Sequence, residues 1–312
     1  MYGILKGVKK ARIAVIGDIM LDRYITGSVE RISPEAPVPV VFVENESHVL
    51  GGAGNVVANL CKLGVANVEL FCLISDADSF GDKISRELGN LHYDYNNIRT
   101  TYFSCEQTTV KTRVMADNHQ IVRFDREIPK PMSNATAIKI IDEVTDKQDE
   151  LDAILISDYG KGMITESLLY GLQSSIGKVL PICIDPSPKT TYPPMANAII
   201  LPNTKEKEKM PPYLSDSFKA VVETAGADGI YIYQPNQEPI HIKAIEVSDV
   251  VDTVGAGDTV TAVFTAAIAT SATIYEAATL ANIAASVVVR HAKTYAVSYD
   301  EIFNVIEPYC NP

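Results

Sequence analysis

Residues 11–18 read ARIAVIGD. Positions 13–17 are apolar without alternation and end on Gly-Asp, which describes a strand buried on both faces rather than a helix. Working outward, similar runs occur at 68–74, 153–157, 179–184 and 198–201. Helical patterns lie between them at 55–63, 83–88, 135–143 and 166–172. Strands alternating with helices predict a mainly parallel sheet covered by helices on both sides. Further on, 229–234 and 239–244 alternate around Pro-Asn-Gln and predict an antiparallel hairpin beside that sheet. From 257 to about 305 the chain is predicted to be largely helical, with alanine-rich faces suited to close packing.

Two segments break the pattern. Residues 25–49 carry Pro34, Pro37 and Pro39 and a VPVVFV run. Residues 108–125, TTVKTRVMADNHQIVRFD, read as two alternating strands around an Ala-Asp-Asn turn. Both are expected to form a small accessory sheet acting as a lid, with about 25–49 and 99–127 contributing. The KEKEK run at 205–209 reads as the solvated start of a helix.

The 312 residues are 46% hydrophobic and 21% charged, enough for a sizeable core. A net charge of -12 opposes nucleic acid or an anionic membrane as partner. It leaves a nucleotide or sugar phosphate open, because backbone dipoles and a few cations suffice to hold one phosphate. The five cysteines, Cys61, Cys72, Cys105, Cys183 and Cys310, include no C-x-x-C pair, as in a reducing compartment. The first apolar run is too short for a secretory signal, and none approaches the roughly 18 residues of a membrane span. A cytoplasmic protein is expected.

Three groups of residues can carry chemistry. The first is Asp252-Thr-Val-Gly255-Ala256-Gly257-Asp258 before an Ala- and Thr-rich helix. Small residues let a ligand approach the backbone, and the helix start directs unpaired N–H groups at it. Such a corner can hold the charge that develops on a transferred phosphoryl group, with Asp258 taking a proton. An N-cap aspartate after a glycine turn is the plainer reading. The second is Gly51-Gly52-Ala53-Gly54-Asn55, where bare backbone can lie against a sugar ring and Asn55 offers donors and acceptors. A dinucleotide-binding turn fits less well: no strand runs directly into these glycines, and no acidic residue ends a strand about 20 residues later. The third is Asp18, Asp158, Asp185 and Asn203, each just beyond a predicted strand end, where open α/β sheets bind ligands. Each can also be a turn residue or helix cap.

Together these residues resemble the ribokinase-like (PfkB) carbohydrate kinases, from about residue 10 to 298. GDIMLDRY (17–24), RISPEAPVPVV (31–41), GGAGNVVANL (51–60) and SDYGKG (157–162) resemble the D-glycero-β-D-manno-heptose 7-phosphate kinase branch. DTVGAGD specifies only the kinase class. The resemblance implies a single ribokinase-like domain over 1–312, three-layered α/β/α with a mainly parallel central sheet and a β lid. It implies transfer of the ATP γ-phosphoryl group to the anomeric hydroxyl of the heptose 7-phosphate, giving the 1,7-bisphosphate. Asp258 is then the base, and Gly255, Ala256 and Gly257 are the anion hole. Asp18, Asp22, Gly52 and Asn55 hold sugar hydroxyls, with Asp158 also on the substrate side. Lys111, Arg113 and Arg123 clamp the distal phosphate. Asn203 and Glu206 in PNTKE organise Mg²⁺ and the ATP phosphates, Glu206 through water. Thr224, Gly226, Gly229, Asp252 and Asn282 complete the nucleotide side. ATP and Mg²⁺ are the implied cofactors, a monovalent cation is left open, and a homodimer through the lid strands is implied.

The sequence departs from the family pattern on the ATP side. The 203–224 region is shorter by about a helix and is interrupted by Met210-Pro-Pro212. Thr224-Ala225 stands where Thr-Arg is usual, and Ala292-Lys293 where Gly-Thr is usual. The nucleotidyl-transferring second domain of some relatives is not expected, since the sequence ends at Pro312. The competing readings are a kinase for another sugar or nucleoside, a kinase-derived protein that only binds sugar phosphate, and a nicotinamide-dependent dehydrogenase.

Overall fold

Alternation across the strand Arg12–Gly17, β1, sets the layers. Ile13 and Val15 point into one apolar core with Val56, Leu60 and Phe264, while Ala14 and Ile16 point into another with Ile140, Leu168 and Leu172. Both sets are completely buried, so this strand is apolar throughout for want of any wet face. The computed structural model describes residues 1–117, 119–176, 180–211 and 214–309. Val179, Pro212, Cys310 and Asn118 of the expected turn lie outside the described residues.

In chain order the strands are β1 (Arg12–Gly17), β2 (Ile19–Ile32), β3 (Pro39–Gly52), β4 (Asn67–Ile74), β5 (Ile98–Ser104), β6 (Val110–Ala116) and β7 (His119–Arg126). They continue as β8 (Ala153–Ser157), β9 (Ile182–Asp185), β10 (Met195–Ile200), β11 (Phe218–Thr224), β12 (Ile230–Tyr233) and β13 (Ile240–Ile242). The central sheet runs β13-β12-β11-β10-β9-β8-β1-β4-β5. It is parallel except at β12 and β13, the expected edge hairpin. Helices Ala53–Leu63, Ala256–Ile268 and Ile274–Val288 contribute to one face, and Asn134–Asp146 and Glu166–Ser175 to the other. The fold is three-layered α/β/α. From β1 the chain builds outward to β4 and β5, then returns to build β8 to β11 on the other side. A crevice for ligands is expected beyond the strand ends at that reversal.

The smaller sheet is ordered β3-β2-β6-β7. Its strand β2 leaves β1 after only Asp18, and β3 leads directly into helix Ala53–Leu63, so the lid is joined to the crevice at both ends. Contrary to the sequence expectation, a strand therefore does run straight into Gly51-Gly52. Two expectations need correction. Residues 99–104, counted from sequence with the lid, belong to β5 and pair in parallel with β4 at the edge of the central sheet. Their alternating burial is that of an edge strand, which resembles a lid strand in sequence. Strand β11 was not anticipated: FKAVVET follows the proline interruption, yet it pairs with β10 in the sheet.

Candidate active site

Gly255 caps helix Ala256–Ile268 with φ 80°, a left-handed conformation that glycine adopts without strain. A Cβ there would come within 2.8 Å of the Asn55 side chain. Asp252 pins the loop: one oxygen accepts the Val254 N–H at 3.0 Å and the other the Lys293 N–H at 3.0 Å. The Ala256 N–H turns back to the Thr253 carbonyl at 3.2 Å, so it is not free for an anion as the sequence suggested. The N–H groups of Gly257 and Asp258 find no acceptor among the described residues, and a Cβ on Gly257 would meet open space. A helix start with free amides facing open space suits an oxyanion.

Asp258 is 3% exposed. Its carboxylate accepts from Asn55 Nδ2 at 2.9 Å and from the Tyr159 hydroxyl at 2.7 Å. Burial pushes its pKa up to about 6, against the lowering effect of those two bonds; Asp22 pushes the same way as burial and Lys111 opposes it. A carboxylate in that range is suited to accepting a proton near neutral pH. Asn59 stands one helical turn beyond Asn55, donates to the Asn55 carbonyl at 2.9 Å, and accepts from Thr259 at 3.1 Å and the Val297 N–H at 3.0 Å. This buried network fixes helix Ala53–Leu63 against the Asp258 corner.

Asp22 carries an ion pair with Arg113 at 2.5 Å, the two side chains being 7% and 11% exposed. Thr294 donates to its other oxygen at 3.4 Å. A Cβ on Gly51 would collide with that same oxygen, and Gly52, at φ 57°, passes against the Asp18 carbonyl. Strand register places Asp22, Lys111 and Asp125 on one rung and Tyr24, Arg113 and Arg123 on another. Pairing partners share a face and residues two apart return to it, so all three expected clamps lie on the Asp22 face. Arg113 serves Asp22, and Arg123 is held bidentately by Asp125 at 2.8 and 2.6 Å. Lys111 pairs with no carboxylate among the described residues and lies 4.9 Å from the centre of the Tyr159 ring. Burial lowers its pKa, and Asp22 opposes that.

Two carboxylates are placed differently from the sequence reading. Asp18 accepts the N–H groups of Tyr159 and Lys161 at 2.9 Å and of Met163 at 3.0 Å. It organises the 159–163 loop, since three amides already take up its oxygens. Asp158 accepts from the Gly160 N–H at 2.8 Å and from the Tyr192 hydroxyl, and burial raises its pKa to about 6. It too fixes the loop.

On the nucleotide side, Asn203 and Glu206 form a capping box on a short helix, with bonds of 3.0 and 2.8 Å. Burial raises the Glu206 pKa against the Asn203 bonds. The Asp185 carboxylate accepts no hydrogen bond among the described residues, and its pKa is raised well above the ordinary value. Burial is the first cause, followed by Asp258, Glu206 and Asp158. No cluster of three metal-ligating side chains occurs among the described residues, so a metal here would be held largely through water and phosphate. Thr224 bridges to Asn203 at the end of β11. Gly226, at φ 56°, faces open space, whereas Gly229, at φ 92°, is crowded by the backbone of β13. Asn282 is 6% exposed and donates to the Lys243 carbonyl at 2.7 Å. Sequence reasoning missed Tyr159, Asn59 and Thr294, and noted Lys293 only as a departure from the family pattern. Only Tyr159, inside SDYGKG, and Asn59, four residues after Asn55, left a usable signal.

Residues 194–301 match the pfkB family carbohydrate kinase. The chain is 35% identical over 325 residues to "Bifunctional protein HldE" of Paramagnetospirillum magneticum, covering 97% of this chain and 65% of that protein. It is 38% identical over 312 residues to the protein of the same name from Campylobacter concisus, covering 94% and 64%. The chain thus spans a little under two thirds of these relatives. Among solved structures, ribokinase from Thermotoga maritima superposes with a TM-score of 0.73 at 17% identity, covering 95% of this chain and 99% of that one. Arabidopsis thaliana ribokinase complexed with ribose and ATP gives 0.69 at 19%, covering 96% and 99%. Over residues 194–301 the chain carries a match to the pfkB family carbohydrate kinase domain, and along most of its length it is similar to these bifunctional proteins.

Proposed function

We propose that the protein transfers the γ-phosphoryl group of ATP to the anomeric hydroxyl of D-glycero-β-D-manno-heptose 7-phosphate, as one kinase domain over residues 1–312. The observation that carries this reading is the placement of Asp258. Its buried carboxylate adjoins free helix-start amides and lies within electrostatic reach of Asp22 and Lys111 on the lid face. The acceptor hydroxyl gives its proton to Asp258 as its oxygen bonds the γ-phosphorus, and ADP leaves. The Gly257 and Asp258 amides stabilise the phosphoryl oxygens. Asp22 orients the sugar, and Lys111, with Arg123 beside it, faces the distal phosphate. Bound with ATP, Mg²⁺ supplies charge neutralisation between the phosphates; Asp185 and Glu206 would hold it through water, as the unpaired Asp185 carboxylate suggests.

A coupled ADP-release assay over sugar 7-, 6- and 5-phosphates tests the proposal. Turnover only with the heptose 7-phosphate, lost in Asp258→Asn, supports it; background rates with every acceptor reject it. A second reading, a kinase for an unphosphorylated sugar or nucleoside, is favoured by Arg113 and Arg123 already having carboxylate partners. Turnover of the unphosphorylated acceptors would identify it.

The same reading includes a homodimer through the lid and a cytoplasmic location. No helix among the described residues is long and apolar enough to cross a membrane. The lid sheet exposes Val43 and Phe124, which a second copy would cover.

A further inference from the structure

Lys293 has φ 66°, in the left-handed region where a side chain is strained and glycine is not. Its N–H is held by Asp252 at 3.0 Å, so its backbone belongs to the anion corner. Its side chain crosses to the lid, where Nζ lies 5.0 Å from the centre of the Tyr24 ring. Arg113 lies over that same ring at 5.4 Å and is neutralised by Asp22. Lys293 pairs with no carboxylate among the described residues. The next residue, Thr294, donates to Asp22 and lies against Gly255. Lys293 thus spans the gap between the helix-start amides and the acceptor cradle. Carboxylates crowd this gap, with Asp22, Asp185 and Asp258 all near it. Thr224-Ala225-Gly226, on the nucleotide side, contributes no cation.

We propose that Lys293 contacts the phosphoryl group in transfer, its ammonium neutralising charge that Gly257 and Asp258 meet with amides from the other side. A left-handed lysine tolerated at this corner is explained by that contact, since strained residues persist where function holds them. This rests on the kinase reading above, and the test separates the two.

Calorimetry with Mg–ADP and Mg–AMP-PNP, which differ by the terminal phosphoryl group, provides a readout independent of any acceptor. Wild-type protein that binds neither nucleotide would remove the kinase reading, and this proposal with it. Given wild-type binding, Lys293→Gly is expected to weaken AMP-PNP roughly ten- to a hundredfold, the range for losing a charge-assisted contact, and ADP less than twofold. Lys293→Arg should recover part of the loss. The Gly variant should melt no lower than wild type, because glycine relieves the backbone. In turnover, kcat should fall while the KM for the acceptor holds. Equal losses for both nucleotides, no loss for either, or a raised acceptor KM at unchanged kcat would each overturn the assignment.

Discussion

The Tyr159 hydroxyl donates to Oδ1 of Asp258 at 2.7 Å, while Asn55 donates to Oδ2 at 2.9 Å, so both oxygens of the proposed base are held. One donor comes from the loop after β8 and the other from the helix after β3. The base is therefore positioned by both sides of the crevice, and a change in either alters its proton affinity without touching Asp258 itself.

The first prediction follows from that geometry. The kcat/KM profile should fall on the acid side of about pH 6, where Asp258 becomes protonated. The Tyr159 bond lowers this pKa, so Tyr159→Phe should move the acid limb to higher pH. Asp258→Asn should cost about 10²- to 10⁴-fold in kcat, as for loss of a general base. Rate profiles from pH 5 to 9 measure both, and an unmoved limb in the Phe variant would contradict the assigned role.

Stability should run the opposite way from activity. For Asp258 the folded pKa is about 6, above the ordinary 3.8, so its favourable contribution is complete below 3.8 and lost as pH rises through 6. At roughly 1.4 kcal/mol per unit, the ionised working form costs about 3 kcal/mol. Asp158 behaves alike, and Asp18, Asp185 and Glu206 shift in the same direction. Asp78, Asp125 and Glu223 are lowered and work the other way: their contribution is complete above the ordinary carboxylate range and is lost as pH falls through their lowered values. Thermal melts should therefore give a higher Tm at pH 5.5 than at pH 8. A flat or rising profile would mean the crevice carboxylates are better solvated than their burial implies.

The acidic crevice also predicts a metal effect. At pH 8, Mg²⁺ with ADP should raise the Tm more than ADP with EDTA, because the cation relieves repulsion among Asp185, Glu206 and Asp258. Asp185→Asn should raise the metal-free Tm, by removing a buried charge, and shrink the Mg²⁺ increment. Glu206→Gln should raise the Mg²⁺ concentration needed for half-maximal rate. An undiminished increment in the Asn variant would exclude Asp185 from the metal's surroundings.

Arg113 and Asp22 lie largely out of solvent, so removing one partner strands the other. Arg113→Met should destabilise the protein by about 3–5 kcal/mol in urea unfolding, and Arg113→Met with Asp22→Asn should restore much of that. Neither variant should bind the acceptor normally. A loss below about 1 kcal/mol would place the pair in water, where such bridges contribute little.

How much of this was legible in sequence depends on whether the deciding contacts are local. Strands such as β1 and β8 show themselves because burial on both faces excludes polar residues. Edge strand β5 does not, because one wet face gives it the alternation of a lid strand. The Asp252–Asp258 corner was readable, since glycines before a helix start are a local geometry. The occupancy of Asp18 was not: its three amide donors lie 141, 143 and 145 residues away. The same holds for the Thr259–Asn59 bond, which spans 200 residues. Sequence located the carboxylates at the strand ends, but only folding shows which are already hydrogen-bonded.

The last prediction concerns the face of the lid away from Asp22. Register sets Thr112 opposite Phe124 and Val114 opposite Val122, on the side opposite Lys111 and Arg113. Val122 is 48% and Phe124 51% exposed, and Val43 on β3 is 61% exposed. A four-stranded sheet cannot cover both its faces, and side chains of this size facing water lose up to about 1.5–3 kcal/mol of burial each. A second copy of the chain is the expected cover, so wild type should sediment as a dimer at micromolar concentration. Phe124→Asp should give monomers. Because Lys111, Arg113 and Asp22 lie on the other face of the same sheet, releasing the dimer should loosen the lid and raise the acceptor KM more than it lowers kcat. Monomeric wild type with an unchanged KM in the variant would show that the exposed lid face has no part in assembly or acceptor binding.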